Sequence, residues 1–168
     1  SRQGVRALLV YPTKTLGSDQ TKRFLKVLNK LNTLVPGRNI TLALLDGDAD
    51  NKGIFNAPAR GLTCPVCDEV LEYSGAENYD VKCRNCGHDH LTWLYITKKR
   101  IYENKNNVDI LITNPEMLER RFFPGDSNIE FNNLDYVVYE DGDTRTVTIA
   151  QVLHYSTGNF NPLAKRRK

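Results

Sequence analysis

The sequence has no cysteine to spare. All four of its cysteines fall in two Cys-x-x-Cys pairs, Cys64-Pro-Val-Cys67 and Cys83-Arg-Asn-Cys86. A disulfide framework elsewhere is therefore excluded, and a reducing compartment, the cytoplasm, is the expectation. The sequence also lacks any run of about 18 apolar residues and shows no amino-terminal apolar core of the secretory kind, so neither a membrane span nor a signal peptide is expected. Excess charge is missing as well. Lysine and arginine number 23 against 20 aspartates and glutamates, a net of +3, which is too little for charge alone to argue for a polyanionic partner. No internal repeat is longer than the paired cysteine knuckles.

What is present suits one domain of ordinary size, or one domain carrying a small insertion: 168 residues, 40% of them hydrophobic. The cysteine box has two residues inside each pair and fifteen between the pairs, a spacing that lets four thiolates close a tetrahedron around zinc. Four thiolates complete the coordination sphere and leave no position for water, so Cys64, Cys67, Cys83 and Cys86 read as a structural site, with redox chemistry of the pairs as the alternative. His88 and His90 follow the second pair and read as knuckle residues rather than ligands. Residues 58–105 are expected to form a β-rich zinc-ribbon insertion.

The flanks of the box alternate strand and helix. Arg6 to Tyr11 is a continuous apolar run stopped by Pro12, as in a parallel strand covered on both faces. Thr15 to Leu34 sets Leu16, Phe24, Val27, Leu28 and Leu31 at three and four spacings among lysines and arginines, the pattern of an amphipathic helix. Pro36-Gly37 ends it, and Ile40 to Leu45 supplies a second strand, giving a parallel βαβ unit. After the box, Val108 to Thr113 predicts a strand, Pro115 the first turn of a short helix, Leu134 to Tyr139 a further strand, and Thr144 to Tyr155 a helix. The fold class is α/β.

Four segments resemble superfamily 2 helicases. Ala7-Leu-Leu-Val-Tyr-Pro-Thr-Lys-Thr-Leu16 with Asp19-Gln20 is similar to motif Ia, Asp46-Gly47-Asp48 to the Gly-containing motif Ib turn, Ile110-Leu-Ile-Thr-Asn-Pro-Glu-Met-Leu118 to motif Ic, and Leu134-Asp-Tyr-Val-Val-Tyr-Glu-Asp-Gly-Asp-Thr144 to the strand bearing motif II. The resemblance runs from about Arg6 to Tyr155 apart from the insertion. It implies a partial RecA-like parallel sheet with flanking helices, formed by residues 1–57 and 106–160, with 161–168 as a basic tail. It further implies that Pro12, Thr13, Lys14, Gly47, Thr113 and Asn114 track a sugar-phosphate backbone, DNA ahead of RNA. Strand-to-helix turns expose unpaired N–H groups that suit phosphate; the alternative is that the threonines are helix caps and Pro115 a first-turn proline.

Glu140 and Asp141 match the motif II carboxylates of the family, which hold magnesium and activate water in ATP hydrolysis. Their order is reversed from the family's Asp then Glu. A displacement of about 1 Å can cost on the order of 100-fold in rate, so weak or absent hydrolysis is expected. No Gly-x-x-x-x-Gly-Lys-[Ser/Thr] sequence occurs, and no motif III follows. The expectation is a piece of a larger helicase, resembling in style the bacterial helicases of genome defence and repair. ATP and Mg²⁺ would belong to the complete protein, and the rest of the helicase chain would be a partner. A non-catalytic zinc-stapled module that binds nucleic acid or protein is the alternative, and a metal hydrolase built on Glu140, Asp141 and Asp143 is disfavoured for want of a histidine.

Within the insertion, Arg84, His88, His90, Trp93 and Lys98 to Arg100 gather positive charge and an aromatic ring near one knuckle. Base stacking is one reading of Trp93; packing of a small core by Trp93 and Tyr95 is the other, and a protein partner on the ribbon is a third use of that surface. His154 is assigned no role.

Overall fold

Ala7-Leu-Leu-Val10 and Ile110-Leu-Ile-Thr113 carry apolar side chains in both directions, which a strand needs when both faces of its sheet are covered. The computed structural model describes residues 4–35, 37, 39–49, 57–74, 80–88, 91–122, 129, 131, 133–140 and 144–146. Its elements are β1 (Ala7–Val10), α1 (Lys14–Leu34), β2 (Leu42–Leu45), β3 (Pro58–Thr63), β4 (Val70–Tyr73), β5 (Val81–Cys83), β6 (Leu94–Tyr95), α2 (Lys98–Glu103), a single 3₁₀ turn (Lys105–Asn107), β7 (Ile110–Thr113), α3 (Pro115–Phe122), β8 (Tyr136–Glu140) and β9 (Thr144–Thr146). Two sheets result, one ordered β6-β2-β7-β1-β8-β9 and one ordered β3-β4-β5. In the first, β6, β2, β7, β1 and β8 run parallel and β9 returns antiparallel to β8. This is the expected α/β architecture. The small sheet is antiparallel throughout.

Alternate residues of the parallel strands serve opposite layers. Leu9, Leu42, Leu44 and Ile112 face Leu25 and Leu28 of α1. Leu8, Val10, Ala43, Leu45, Leu111 and Val137 face Ile101 of α2 and Met117 of α3. The small sheet joins the first of these layers: Leu62, Leu71, Tyr73 and Val81 belong to the same apolar cluster as α1 and β2. The cysteine module is thus packed onto the α1 face, and its core is continuous with that of the parallel sheet.

The expected parallel βαβ unit of β1, α1 and β2 is present, with β7 lying between its two strands, level with Leu9 through Ile112 and with Leu44 through the same residue. Two expectations are corrected. The parallel sheet reaches into the stretch read as insertion: Leu94 and Tyr95 pair with Leu42 and Ala43, and Ile101 of α2 is buried against the sheet's other face. Finally, Thr144–Thr146, read as the start of a helix, forms β9, with Glu140 paired to Thr144 and Val138 to Thr146. Two β-branched residues in three favour an extended segment, and a hairpin return gives it a ladder. The remainder of that predicted helix, His154 and the basic tail lie outside the described residues. No helix among the described residues is long and apolar enough to cross a membrane.

Candidate metal centre and the adjoining strand ends

The two cysteine knuckles are built alike. In each, the first cysteine's N–H donates across the turn five residues on, Cys64 to the Glu69 carbonyl at 2.7 Å and Cys83 to the His88 carbonyl at 2.8 Å. In each, the residue after the second cysteine donates back, Asp68 to the Cys64 carbonyl at 3.0 Å and Gly87 to the Cys83 carbonyl at 3.1 Å. That returning residue takes a left-handed conformation, with φ of 61° at Asp68 and 69° at Gly87, which glycine adopts without strain and aspartate tolerates.

Folding the two knuckles together brings the four sulfurs within 4.8 Å of one another. Cys64 Sγ stands 3.6 Å from Cys86 Sγ, and Cys67 Sγ 3.4 Å from Cys83 Sγ. A tetrahedral ion with metal–sulfur bonds of about 2.3 Å would set its ligands about 3.8 Å apart, so the donor set fits a tetrahedral four-thiolate site. Cys64 and Cys83 are buried and Cys86 is exposed. Burial pushes the Cys64 thiol up to about 12, while the Glu69 N–H, first among several donors, draws the Cys67 thiol down to about 7. Burial thus favours the protonated Cys64 thiol, and a metal ion bound there would displace its proton.

Polar contacts fix the module to its neighbours. Lys26 of α1 pairs with Asp68 at 2.6 Å, and the His88 ring meets Asn29 of α1, Nε2 to Oδ1, at 3.1 Å. His88 is thus half-buried against α1 rather than fully exposed; His90 lies outside the described residues. Trp93 is buried in the α1-side cluster and offers no open ring for a base, whereas Tyr95 points to the opposite layer beneath the Arg100 guanidinium, 5.4 Å from its ring centre. The two aromatics thus pack separate layers. Arg100 also pairs with Asp80 at 2.9 Å.

At the carboxyl edge of the parallel strands the residues singled out from sequence divide by depth. Pro12, Thr13, Lys14 and Gly47 are exposed. Thr13 caps α1, its hydroxyl accepting from the Leu16 N–H at 3.2 Å. Lys14 Nζ donates to Asp48 Oδ1 at 2.8 Å. The hydrogen bond and the opposite charge raise the Lys14 pKa and lower that of Asp48. The link is therefore complete at neutral pH: it is lost in acid as pH falls through the folded Asp48 value, and in base as pH rises through the folded Lys14 value.

Thr113 and Asn114 are buried and already engaged. Thr113 Oγ1 donates to the Leu45 carbonyl at 2.7 Å, tying β7 to β2. Asn114 Oδ1 accepts from the Met117 N–H at 2.9 Å and so caps α3, with Pro115 in the first turn as expected. Asn114→Ala is expected to lower stability by about 1 kcal/mol, the usual value of such a cap, measured as a shift in urea midpoint at unchanged slope; a shift under a quarter of that would deny the cap its role. Glu140 ends β8, and Asp141 lies outside the described residues.

The Lys14 side chain passes close over Gly47. A Cβ at that position would stand 3.1 Å from Lys14 Nζ and 3.3 Å from its Cε. The obstructed atoms are the far end of a flexible side chain, so Gly47→Ala is expected to change stability by less than about 0.5 kcal/mol. It should nonetheless move Lys14 off Asp48, read by NMR as an Asp48 carboxyl titrating nearer its ordinary value. An unchanged titration would show that the approach is not needed.

One position beside the candidate edge was not singled out in the sequence. Arg60, in β3, has a side chain only 7% exposed that forms an ion pair with the buried Asp46 at the end of β2, Nη2 to Oδ1. Its one sequence signal was Arg60-Gly61 inside an otherwise alternating strand, the mark of a bulge. Neither a protein-family model, nor a characterised protein, nor a solved structure matches the chain. Fold and site define an α/β protein with a four-cysteine cluster, able to hold a metal ion, docked on its first helix.

Proposed function

We propose that the chain forms part of the first RecA-like lobe of a superfamily 2 helicase or translocase, stapled by zinc and working in a reducing compartment, the cytoplasm. One observation carries this reading. The segments similar to motifs Ia, Ib, Ic and II end the parallel strands β1, β2, β7 and β8, and these ends stand level with one another: Val10 beside Thr113 and Tyr139, Leu45 beside Thr113. Ligands of open α/β sheets bind outside the carboxyl ends of the strands.

In this proposal the exposed Pro12, Thr13, Lys14 and Gly47 meet the sugar-phosphate backbone of one strand, DNA ahead of RNA as the resemblance implies, while Thr113 and Asn114 hold β7 and α3 in the shape that contact needs. Backbone contacts of this kind position a strand without reading its bases. Zinc is the metal the donor set favours, since four thiolates in a tetrahedron select it or an iron–sulfur centre and a closed sphere suits a structural role. Mg²⁺ and ATP would be held in the complete protein, with Glu140 and Asp141 as the carboxylates for metal and water and the rest of the helicase chain as partner.

The test is fluorescence anisotropy of a labelled single-stranded oligonucleotide at two salt concentrations, on the metal-loaded chain. Salt-sensitive binding that Lys14→Ala weakens is the expected result. Absence of binding at low salt would sink the nucleic-acid reading. The reversed Glu140-Asp141 order favours a second reading, a non-catalytic zinc-stapled module that binds nucleic acid or a protein at the ribbon. ATP hydrolysis by the chain joined to the remainder of its lobe would separate the two.

A further inference from the structure

We propose that Arg60 is a positioning residue that carries the fold of the metal module into the Lys14 turn. It deepens the nucleic-acid reading above, because it assigns the cause of Lys14's placement at the edge proposed to meet phosphate.

β3 carries a break. Its pairing with β4 loses register between Pro58 and Thr63, and both residues of the break take positive φ, 58° at Arg60 and 69° at Gly61. Glycine accepts that conformation freely; a long side chain such as arginine adopts it only where its surroundings hold it there. The result is that the Arg60 side chain leaves the small sheet and enters the edge of the parallel one. Nη1 donates to the Leu44 carbonyl at 2.9 Å and to the Ile96 carbonyl at 3.0 Å, so one guanidinium bridges β2 and the residue after β6. Nη2 pairs with Asp46.

From Asp46 the connection runs outward to the surface. The Asp46 oxygen that meets Arg60, Oδ1, also accepts the Asp48 N–H at 2.9 Å, which closes the turn around Gly47. Asp48 Oδ1 in turn holds Lys14 Nζ at 2.8 Å. An ion pair and two hydrogen bonds thus join the strand that leads into Cys64 to the exposed cation at the start of α1. Arginine suits the inner position because its planar fork is permanently charged and reaches three acceptors at once, which a lysine ammonium on a flexible stem does not reproduce. Asp46 Oδ2 and Arg60 Nε have no hydrogen-bond partner among the described residues. An incompletely satisfied buried pair is a poor device for stability alone and a reasonable one for fixing geometry.

The test is a double-mutant cycle on Lys14→Ala and Arg60→Ala, with Arg60→Lys as the conservative variant and metal content per chain as the check that the module still folds. Two quantities are read: the dependence of single-stranded oligonucleotide affinity on salt, and the titration of the Asp48 carboxyl by NMR. Lys14→Ala should reduce the salt slope by about one phosphate contact. Arg60→Ala should do the same, the double variant should lose no more than either single one, and Arg60→Lys should not restore the slope. With Lys14 present, Arg60→Ala should also return Asp48 toward the ordinary carboxylate range. Additive losses in the cycle, or an Asp48 titration in the Arg60 variants identical to that of the parent, would overturn the assignment. If the parent chain binds no oligonucleotide, the nucleic-acid reading fails by itself, and the Asp48 titration, which needs no ligand, still decides whether Arg60 places the turn. If Arg60→Ala fails to retain metal, Arg60→Lys, which keeps the charge and most of the stem, carries the same titration.

Discussion

Stripping the metal, or replacing Cys83 with serine, is expected to unfold the chain in one transition rather than to loosen the module alone. Cys64 and Cys83 are fully buried, and they lie in the same apolar cluster as Leu25 and Leu28 of α1 and Leu42 and Leu44 of β2. The small sheet has no separate core to lose. Apparent binding free energies of structural zinc sites run to roughly 10–16 kcal/mol near neutral pH, against a total stability of about 5–15 kcal/mol for an ordinary domain. Removing the ion therefore withdraws an amount comparable to the whole stability of the fold, and leaves four sulfurs of which the deepest is held protonated by burial, with its pKa pushed up to about 12. Circular dichroism against temperature, with metal content measured on the same samples, checks this: the holo chain should show one transition at one metal per chain, and the stripped chain should show little residual helix signal. Because each thiol must give up a proton to bind, metal affinity should also fall as pH is lowered. Retention of the α1 and parallel-sheet signal after complete removal of the metal would refute the shared core.

Much of this arrangement was legible in local signals. The knuckles could be read because cysteine spacing is a local constraint, and the residue that turns each one, Asp68 or Gly87, is of the type a left-handed position demands. The long helix was readable from its period, and the apolar strands from unbroken apolar runs of strand length. Elements too short to show a period were not. Leu94–Tyr95 is a two-residue strand, and its membership in the parallel sheet follows from its pairing with Leu42 and Ala43, which nothing nearby announces. Thr144–Thr146 had a choice of helix or hairpin that the tertiary ladder with β8 decided. At the candidate edge, sequence named the turns and left burial unspecified. Thr113 and Asn114 share a motif with exposed expectations, yet both point inward and are spent on the fold. Arg60 was beyond reach for another reason: its partners lie 14 to 36 residues away, at Asp46, Leu44 and Ile96, and no spacing rule links them.

The buried pair itself supplies the second large effect. Asp46→Ala is expected to destabilise the chain by about 3–5 kcal/mol, since it strands the Arg60 guanidinium, with its side chain only 7% exposed, beside a cavity and without its counter-charge. It also removes the acceptor of the Asp48 N–H. The cost should belong to the unpaired charge rather than to the lost attraction, because two charges taken out of water are offset by their mutual attraction only when the geometry is complete, and here Asp46 Oδ2 and Arg60 Nε are without partners among the described residues. Replacing both members with apolar residues of similar length, Asp46→Leu with Arg60→Met, should therefore recover most of the loss, and the two single changes should be strongly non-additive. Chemical denaturation of the parent, the two single variants and the double variant at fixed metal saturation reads the cycle directly. If the double variant is as unstable as the sum of the single ones, the guanidinium's hydrogen bonds to Leu44 and Ile96 are what hold this edge, and the ion pair is incidental. If the double variant is stable while Lys14 no longer pairs with Asp48, the pair is there for the turn, at the expense of a core that apolar side chains would fill equally well.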